Sequence, residues 1–266
     1  QDIVLTNPDT QSITDTGAFE YVVAPSITTY APTTIHEVGS QTLTINGAGF
    51  RSGATVTINA LVCTTPTFIN STQITCLTPA STGSAVSVVV TNIDGQISTA
   101  STIDYVPVPT ISAVTGPGFA NEGMESGGEL ITIDGTNFLN TLPPTVTINL
   151  VSCAPVTWVS ATQITCISGA GAGSGNVIVT NNDGQSVTYG TPFTYFPPPT
   201  LSSITPTGGP LAGGTVITIT GTNFRDTGSF AIDIGGVPCT ASSISSSTTA
   251  SCTVDAGTGL QNVNFF

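Results

Sequence analysis

Along this chain, apolar and hydroxyl-bearing residues alternate in short runs. Thr42, Leu43, Thr44 and Ile45 form one run, and Thr55, Val56, Thr57 and Ile58 form another. A period of two puts Leu43, Ile45, Val56 and Ile58 on one face and threonine on the other. That pattern predicts half-buried strands with the apolar side chains inward. No helical period takes over anywhere in the sequence. Gly, Pro and Asn turn signals separate the runs at intervals of roughly 8–12 residues, as in an all-β sandwich.

The runs recur with a long period. Gly47-Ala48-Gly49-Phe50, Cys63, Cys76 and Thr91-Asn92-Ile93-Asp94-Gly95-Gln96 follow one another in order. The same order returns as Gly135-Thr136-Asn137-Phe138, Cys153, Cys166 and Thr180-Asn181-Asn182-Asp183-Gly184-Gln185, then as Gly221-Thr222-Asn223-Phe224, Cys239 and Cys252. The glycine motifs are offset by 88 and 86 residues, and the first cysteines by 90 and 86. A period held at several landmarks is an internal repeat of domain size. It divides the chain into a first unit at 25–107, a second at 108–198 and a third at 199–266, preceded by residues 1–24. The joints Val106-Pro107-Val108-Pro109 and Phe196-Pro197-Pro198-Pro199 are short and proline-rich, so the expected arrangement is a rod-like array with fixed angles.

Units this small bury little core, and a staple is expected. In each unit the second cysteine lies 13 positions after the first, and an even count at repeated spacing reads as disulfides in an oxidising compartment. The pairs are Cys63 with Cys76, Cys153 with Cys166, and Cys239 with Cys252, each closing a loop worth about 3 kcal/mol. Metal ligation fits poorly, because no C-x2-C occurs and His36 is the only histidine.

Charge excludes further classes. The chain has 2 Lys+Arg, namely Arg51 and Arg225, against 15 Asp+Glu, for a net charge of −13. Such a surface cannot displace counterions from phosphates, which argues against a nucleic-acid partner. No apolar run approaches the ~20 residues of a membrane helix, so no membrane insertion is expected. The chain opens at Gln1 without a signal peptide, as a mature or excised product would. The surface suits an extracellular or cell-surface β protein.

With these motifs in place, the sequence resembles the IPT/TIG family, the immunoglobulin-like domains of plexins, some transcription factors and many bacterial surface proteins. The resemblance rests on Pro109-Thr110-Ile111-Ser112, Pro199-Thr200-Leu201-Ser202, the run from 213 to 224, Gly235-Gly236-Val237-Pro238-Cys239, Gln163-Ile164-Thr165-Cys166 and the Thr-Asn-x-Asp-Gly-Gln turn. It implies seven-stranded sandwiches in tandem, used as spacers, binding modules or dimerisation surfaces. The fold alone does not choose among these roles.

Candidate sites are few. Asp9, Asp94 and Asp183 sit in the repeated turn, where Asx-Gly chemistry explains them better than calcium ligation. Phe50, Phe138, Phe224 and Trp158 are expected in the cores, and His36 in a surface loop. Glu122, Glu125 and Glu129 form a local acidic group at an insertion, 116–128, which defaults to a solvated loop with a calcium or partner site as the alternative. Asn70-Ser71-Thr72 is an N-glycosylation pattern. No nucleophile–base pair, phosphate loop or paired carboxylates assemble, so no catalytic residue, metal site or cofactor is expected.

Residues 1–24 read as the closing strand segment of a sandwich, and the third unit reads as lacking its last strand. Ungapped alignment matches 259–266 to 83–90. The expectation is head-to-tail self-assembly. Ile3, Val4, Leu5, Phe19, Tyr21 and Val22 would complete a third unit bearing Val263, Phe265 and Phe266. The function expected first is a subunit or repeat unit of an extracellular filament, joined covalently or by strand donation. The spacing from second cysteine to turn threonine, 15 and 14 residues within units but 20 across such a joint, favours donation. The alternatives are an adhesive or receptor-like ectodomain fragment binding a protein or glycan, and a spacer in a larger adhesin or secreted enzyme.

Overall fold

The computed structural model describes residues 1–17, 20–226, 230–259 and 261–265. The chain forms two compact units, 1–108 and 109–266, and the described residues are all strand, turn and loop.

The first unit begins with a hairpin, Ile3–Thr6 against Ser12–Asp15. A sandwich follows. One sheet runs in the order Ser26–Ala31, Thr42–Ala48, Gln73–Leu77, Thr64–Asn70. The other runs Thr34–His36, Ser101–Val106, Val86–Thr91, Thr55–Ile58, Leu61–Val62. Pairing is antiparallel except between Thr34–His36 and Ser101–Val106. The alternation works as expected: Leu43, Ile45, Val56 and Ile58 are buried while the threonines between them face out. Val88, Val90, Ile103 and Tyr105 complete the core.

The second unit holds two further sandwiches. The first of these pairs Thr110–Thr115, Leu130–Thr136, Gln163–Ile167 and Val156–Ser160 in one sheet. Facing it are two ladders: Val151–Cys153, Thr145–Ile148, Val177–Thr180, Ser186–Thr188; and Glu122–Met124, Phe193–Phe196, Gly173–Gly175. The other sandwich pairs Thr200–Thr205, Val216–Thr222, Thr249–Thr253 and Thr240–Ser246 opposite Val237–Pro238, Ile232–Ile234 and Val263–Phe265. Each of the three sandwiches has its own buried cluster.

The repeated glycine motif has a steric cause. A Cβ on Gly47, Gly135 or Gly221 would overlap a carbonyl of the adjacent strand and the ring of Phe50, Phe138 or Phe224. Two residues later the backbone turns left-handed, at Gly49 (φ 73°), Asn137 (61°) and Asn223 (60°), conformations that Gly and Asn reach most cheaply. The turn delivers each phenylalanine into the core, where all three are buried.

Cys63–Cys76, Cys153–Cys166 and Cys239–Cys252 are bonded, with Cα separations of 5.8, 5.5 and 5.7 Å. Each second cysteine lies in a strand of one sheet, while the first sits where the chain leaves the other. The bond therefore ties the two sheets together.

Three sequence expectations change. His36 lies on a strand beside Val106, because the residues after 31 cross to the second sheet instead of looping out. Trp158 is half-buried at the core margin, on an edge strand, with its indole Nε1 donating to the Phe138 carbonyl at 2.9 Å. Its counterpart Phe68 is exposed. The third change concerns register: Val263 stands opposite Ile234 as Val88 stands opposite Ile58, so the ungapped match of 259–266 to 83–90 is one residue out.

Burial raises the phenols of Tyr105 and Tyr195 above 10.0, with the Glu129 carboxylate adding to the effect at Tyr195. Both favour the neutral phenol in the folded state. Their contribution is complete below about pH 10 and is lost as pH climbs through the folded values. Tyr105 donates to the Pro79 carbonyl at 2.9 Å, whereas the buried Tyr195 hydroxyl has no partner among the described residues. In denaturant titrations at pH 7, Tyr105→Phe should cost about 1 kcal/mol and Tyr195→Phe nothing, with both flattening the alkaline loss of stability. Equal costs at pH 7 would contradict this assignment.

Candidate interaction surfaces

The acidic group at the start of the second sandwich is built into structure instead of forming a solvated loop. Glu122–Met124 is the strand parallel to Phe193–Phe196, in the place Thr34–His36 takes in the first sandwich, so the inserted stretch is shorter than 116–128. Glu129 is buried and its Oε2 accepts from the Met124 N–H at 2.6 Å. The Glu125 N–H donates to the Phe196 carbonyl at 3.0 Å. Glu122 pairs with Arg225 of the third sandwich. The described residues contain no group of three His, Cys, Asp or Glu suited to a metal ion.

Arg225 makes the joint between the second and third sandwiches. It follows Phe224 out of the left-handed Asn223 turn, and Asn223 Nδ2 donates to the Pro198 carbonyl at 3.0 Å. Its guanidinium lies 3.5 Å from the centroid of the Phe196 ring and 4.9 Å from that of Phe119. A planar cation between two aromatic rings and a carboxylate fixes both partners in orientation. Phe119 comes from the inserted stretch, which therefore has a structural purpose. Arg51, one residue after Phe50, makes the corresponding contacts in the first sandwich, to Glu20 at 3.3 Å and Asp94 at 3.2 Å. Arg51 and Glu20 are more exposed than Arg225 and Glu122, and such pairs add little stability.

The turn aspartates hold their own loops. Asp9, Asp94 and Asp183 each accept from the backbone N–H two residues on, at 3.2, 3.1 and 3.0 Å. Asn92 and Asn181 are buried and reach back to the Gly49 and Asn137 carbonyls, both at 2.8 Å, so the turn also pins the glycine motif. Asn7, in the same place of the N-terminal hairpin, is exposed. Asn70 is exposed too, with Oδ1 accepting from Thr72.

That hairpin is the first of two apolar surfaces. Ile3, Val4, Leu5 and Ile13 are 51, 58, 65 and 70% exposed, and Tyr21 is 79% exposed. Val22 is half-buried and its carbonyl accepts from Gln96 Nε2 at 3.1 Å. Phe19 lies outside the described residues. The second surface is a groove of about 460 Å³ in the third sandwich, between Ile204, Leu211, Ile217, Ile234, Val254 and Val263. Sequence inspection placed acceptor residues on the terminal strand and missed this groove. In the structure Val263 and Phe265 pair with Ile234 and Ile232, while Phe266 is outside the described residues. The missing signal was a comparison of what fills the equivalent space in the other sandwiches.

The profile of the IPT/TIG domain matches residues 25–105, 109–195 and 199–266. Human fibrocystin-L is 30% identical over 220 residues, covering 80% of this chain and 5% of that protein. Human plexin-A4 is 30% identical over 142 residues, covering 50% of this chain and 7% of that protein. The chain thus spans only a small part of the curated relatives it matches. Among solved structures, the full extracellular region of plexin A4 aligns over 91% of this chain and 22% of that one, with 21% identity and a TM-score of 0.41.

Asn181→Ala should lower stability by about 1–3 kcal/mol in denaturant titrations, since it removes a buried side chain that donates to the Asn137 carbonyl and accepts from the Leu139 N–H, whereas Asn7→Ala should be silent. For the joint, a double-mutant cycle of Arg225→Ala with Phe119→Ala should give a coupling of about 0.5–2 kcal/mol. Zero coupling would show that the stacking holds nothing together.

Proposed function

The chain belongs to the IPT/TIG domain family, and from that membership we propose that it is a segment of a receptor-like ectodomain. In it, tandem sandwiches set spacing and present binding surfaces to a protein or glycan ligand. Its place is outside the cell or on the cell surface, where disulfides persist. The observation that carries the proposal is the joint at Arg225. A spacer or a composite binding face needs neighbouring sandwiches held at a set angle, and this contact supplies that constraint between the second and third. The segment acts without catalysis, through the surfaces of its strands and turns.

Head-to-tail assembly remains as a second reading, and the exposed apolar hairpin is the observation that favours it. The two separate in one experiment. Antibody against the folded chain is applied to intact source cells, and the reactive polypeptide is then sized after denaturation without reductant. Surface labelling with a polypeptide far larger than 26.8 kDa is the expected result. Labelling confined to permeabilised cells would overturn the ectodomain proposal. A 26.8 kDa polypeptide released from a high-mass native assembly would replace it with the second reading.

A further inference from the structure

In each sandwich the chain turns tightly between an edge strand and its neighbour, at 70–72, 160–162 and 246–248. Thr72, Thr162 and Thr248 close these turns. Their backbone N–H groups donate to a side-chain oxygen two residues back: Asn70 Oδ1 at 2.8 Å, Ser160 Oγ at 3.1 Å and Ser246 Oγ at 3.2 Å. The threonine hydroxyl meets that same oxygen in all three, at 2.7, 3.0 and 3.1 Å. The carbonyls of Thr72, Thr162 and Thr248 accept from Gly47, Gly135 and Gly221, so the turns are pinned alike. A short side-chain oxygen is what such a turn requires, and serine supplies it twice. The first sandwich uses asparagine instead, and its carboxamide nitrogen is surplus to the turn.

That nitrogen is available. Asn70 is exposed, and among the described residues its Nδ2 has no partner. Asn70-Ser71-Thr72 is also the only Asn-x-Ser/Thr pattern in the sequence. The strand leading into the turn supplies a reason for cover. Thr64–Asn70 lies at the edge of its sheet with every residue exposed, including Phe68 at 38% and Ile69 at 50%. Trp158 and Ile244, the counterparts of Phe68, pack against their cores. An uncovered apolar edge invites pairing with another chain, and a bulky polar group at its end hinders that approach.

We propose that Asn70 is an N-glycosylation site whose oligosaccharide shields the edge strand 64–70. The donor is an oligosaccharide carried on a polyprenyl pyrophosphate. Nδ2 attacks the anomeric carbon and the Nδ2–C1 bond forms. The bond from C1 to the pyrophosphate oxygen breaks, its electron pair leaves with the pyrophosphate, and Nδ2 gives up one proton. Oδ1 stays with Thr72, so the folded turn keeps its hydrogen bonds while the sugar extends into solvent. The proposal rests on the extracellular placement of the chain, and its test reads the two separately.

The polypeptide captured from source cells is alkylated, reduced and digested with trypsin. Arg51 and Arg225 are the only Lys or Arg residues, so residues 52–225 come free as one fragment. That fragment should be heavier than its sequence by whole sugar residues. An amidase that cuts the Nδ2–sugar bond should remove the excess and leave aspartate at position 70. A fragment at its sequence mass, or one with sugar on Ser or Thr alone, would overturn the proposal. If Cys63, Cys76, Cys153 and Cys166 had resisted alkylation in that fragment, the extracellular placement would stand; if they had reacted, it would fall too. Asn70→Ser, which copies the turn at Ser160 and Ser246, tests the argument from the fold. Produced in the periplasm of a bacterial host without the transferase, this variant and the unmodified chain should share a denaturation midpoint. A lower midpoint would show that the turn itself needs asparagine, which would overturn the reasoning. Secreted from a glycosylating host, Asn70→Ser should lack the sugar and scatter light at a lower temperature on warming than the unmodified chain. Identical scattering would overturn the shielding role.

Discussion

Each sandwich depends on two small sheets closing over a single layer of apolar side chains. In the first, Leu43 and Ile45 meet Val56, Ile58, Val88 and Val90, and little lies between these and solvent. A layer this thin tolerates no missing side, which is why the strand that runs parallel at the sheet edge matters so much. It brings Ile103 and Tyr105, or Phe193 and Tyr195, to the place where the two sheets would otherwise gape. Among the described residues, the third sandwich has fewer buried apolar side chains than the other two. Size sets the rule: a domain under about a hundred residues buries a smaller fraction of its surface than a larger one and needs every contribution.

The disulfide answers the same constraint from the other side. It joins a residue at the start of a crossing to the middle of the facing sheet, so the two layers cannot separate at that edge. The glycine–phenylalanine turn fastens another region, and the buried asparagine of the Asp-Gly turn fastens the glycine motif in its place. Motifs far apart in sequence thus form one mechanical unit at the end of the sandwich. Arg51 and Arg225 both emerge from that unit. Position, as much as charge, makes the residue after Phe224 able to grip the preceding sandwich.

Fold class, repeat period, half-buried strands and cysteine spacing were legible because they are local or periodic. Alternation at Thr42–Ala48 and Thr55–Ile58 is a property of neighbours, and so are a Gly-x-Gly-Phe turn and an Asp-Gly loop. The Asp183 side chain bonds two residues away, within reach of simple inspection. Residues 1–24 also repeat a spacing of the closing hairpins, with Gln11, Phe19 and Tyr21 set apart as Gln185, Phe193 and Tyr195 are.

Tertiary structure decided what depends on contacts across long separations. Glu122 appeared as part of a solvated acidic loop until the crossing strand set it beside an arginine 103 residues away. His36 appeared as a loop residue because its strand partner lies some seventy positions downstream and pairs in parallel, a geometry that alternation does not reveal. The one-residue slip at Val263 escaped because strand register comes from the partner, Ile234, and not from the strand itself.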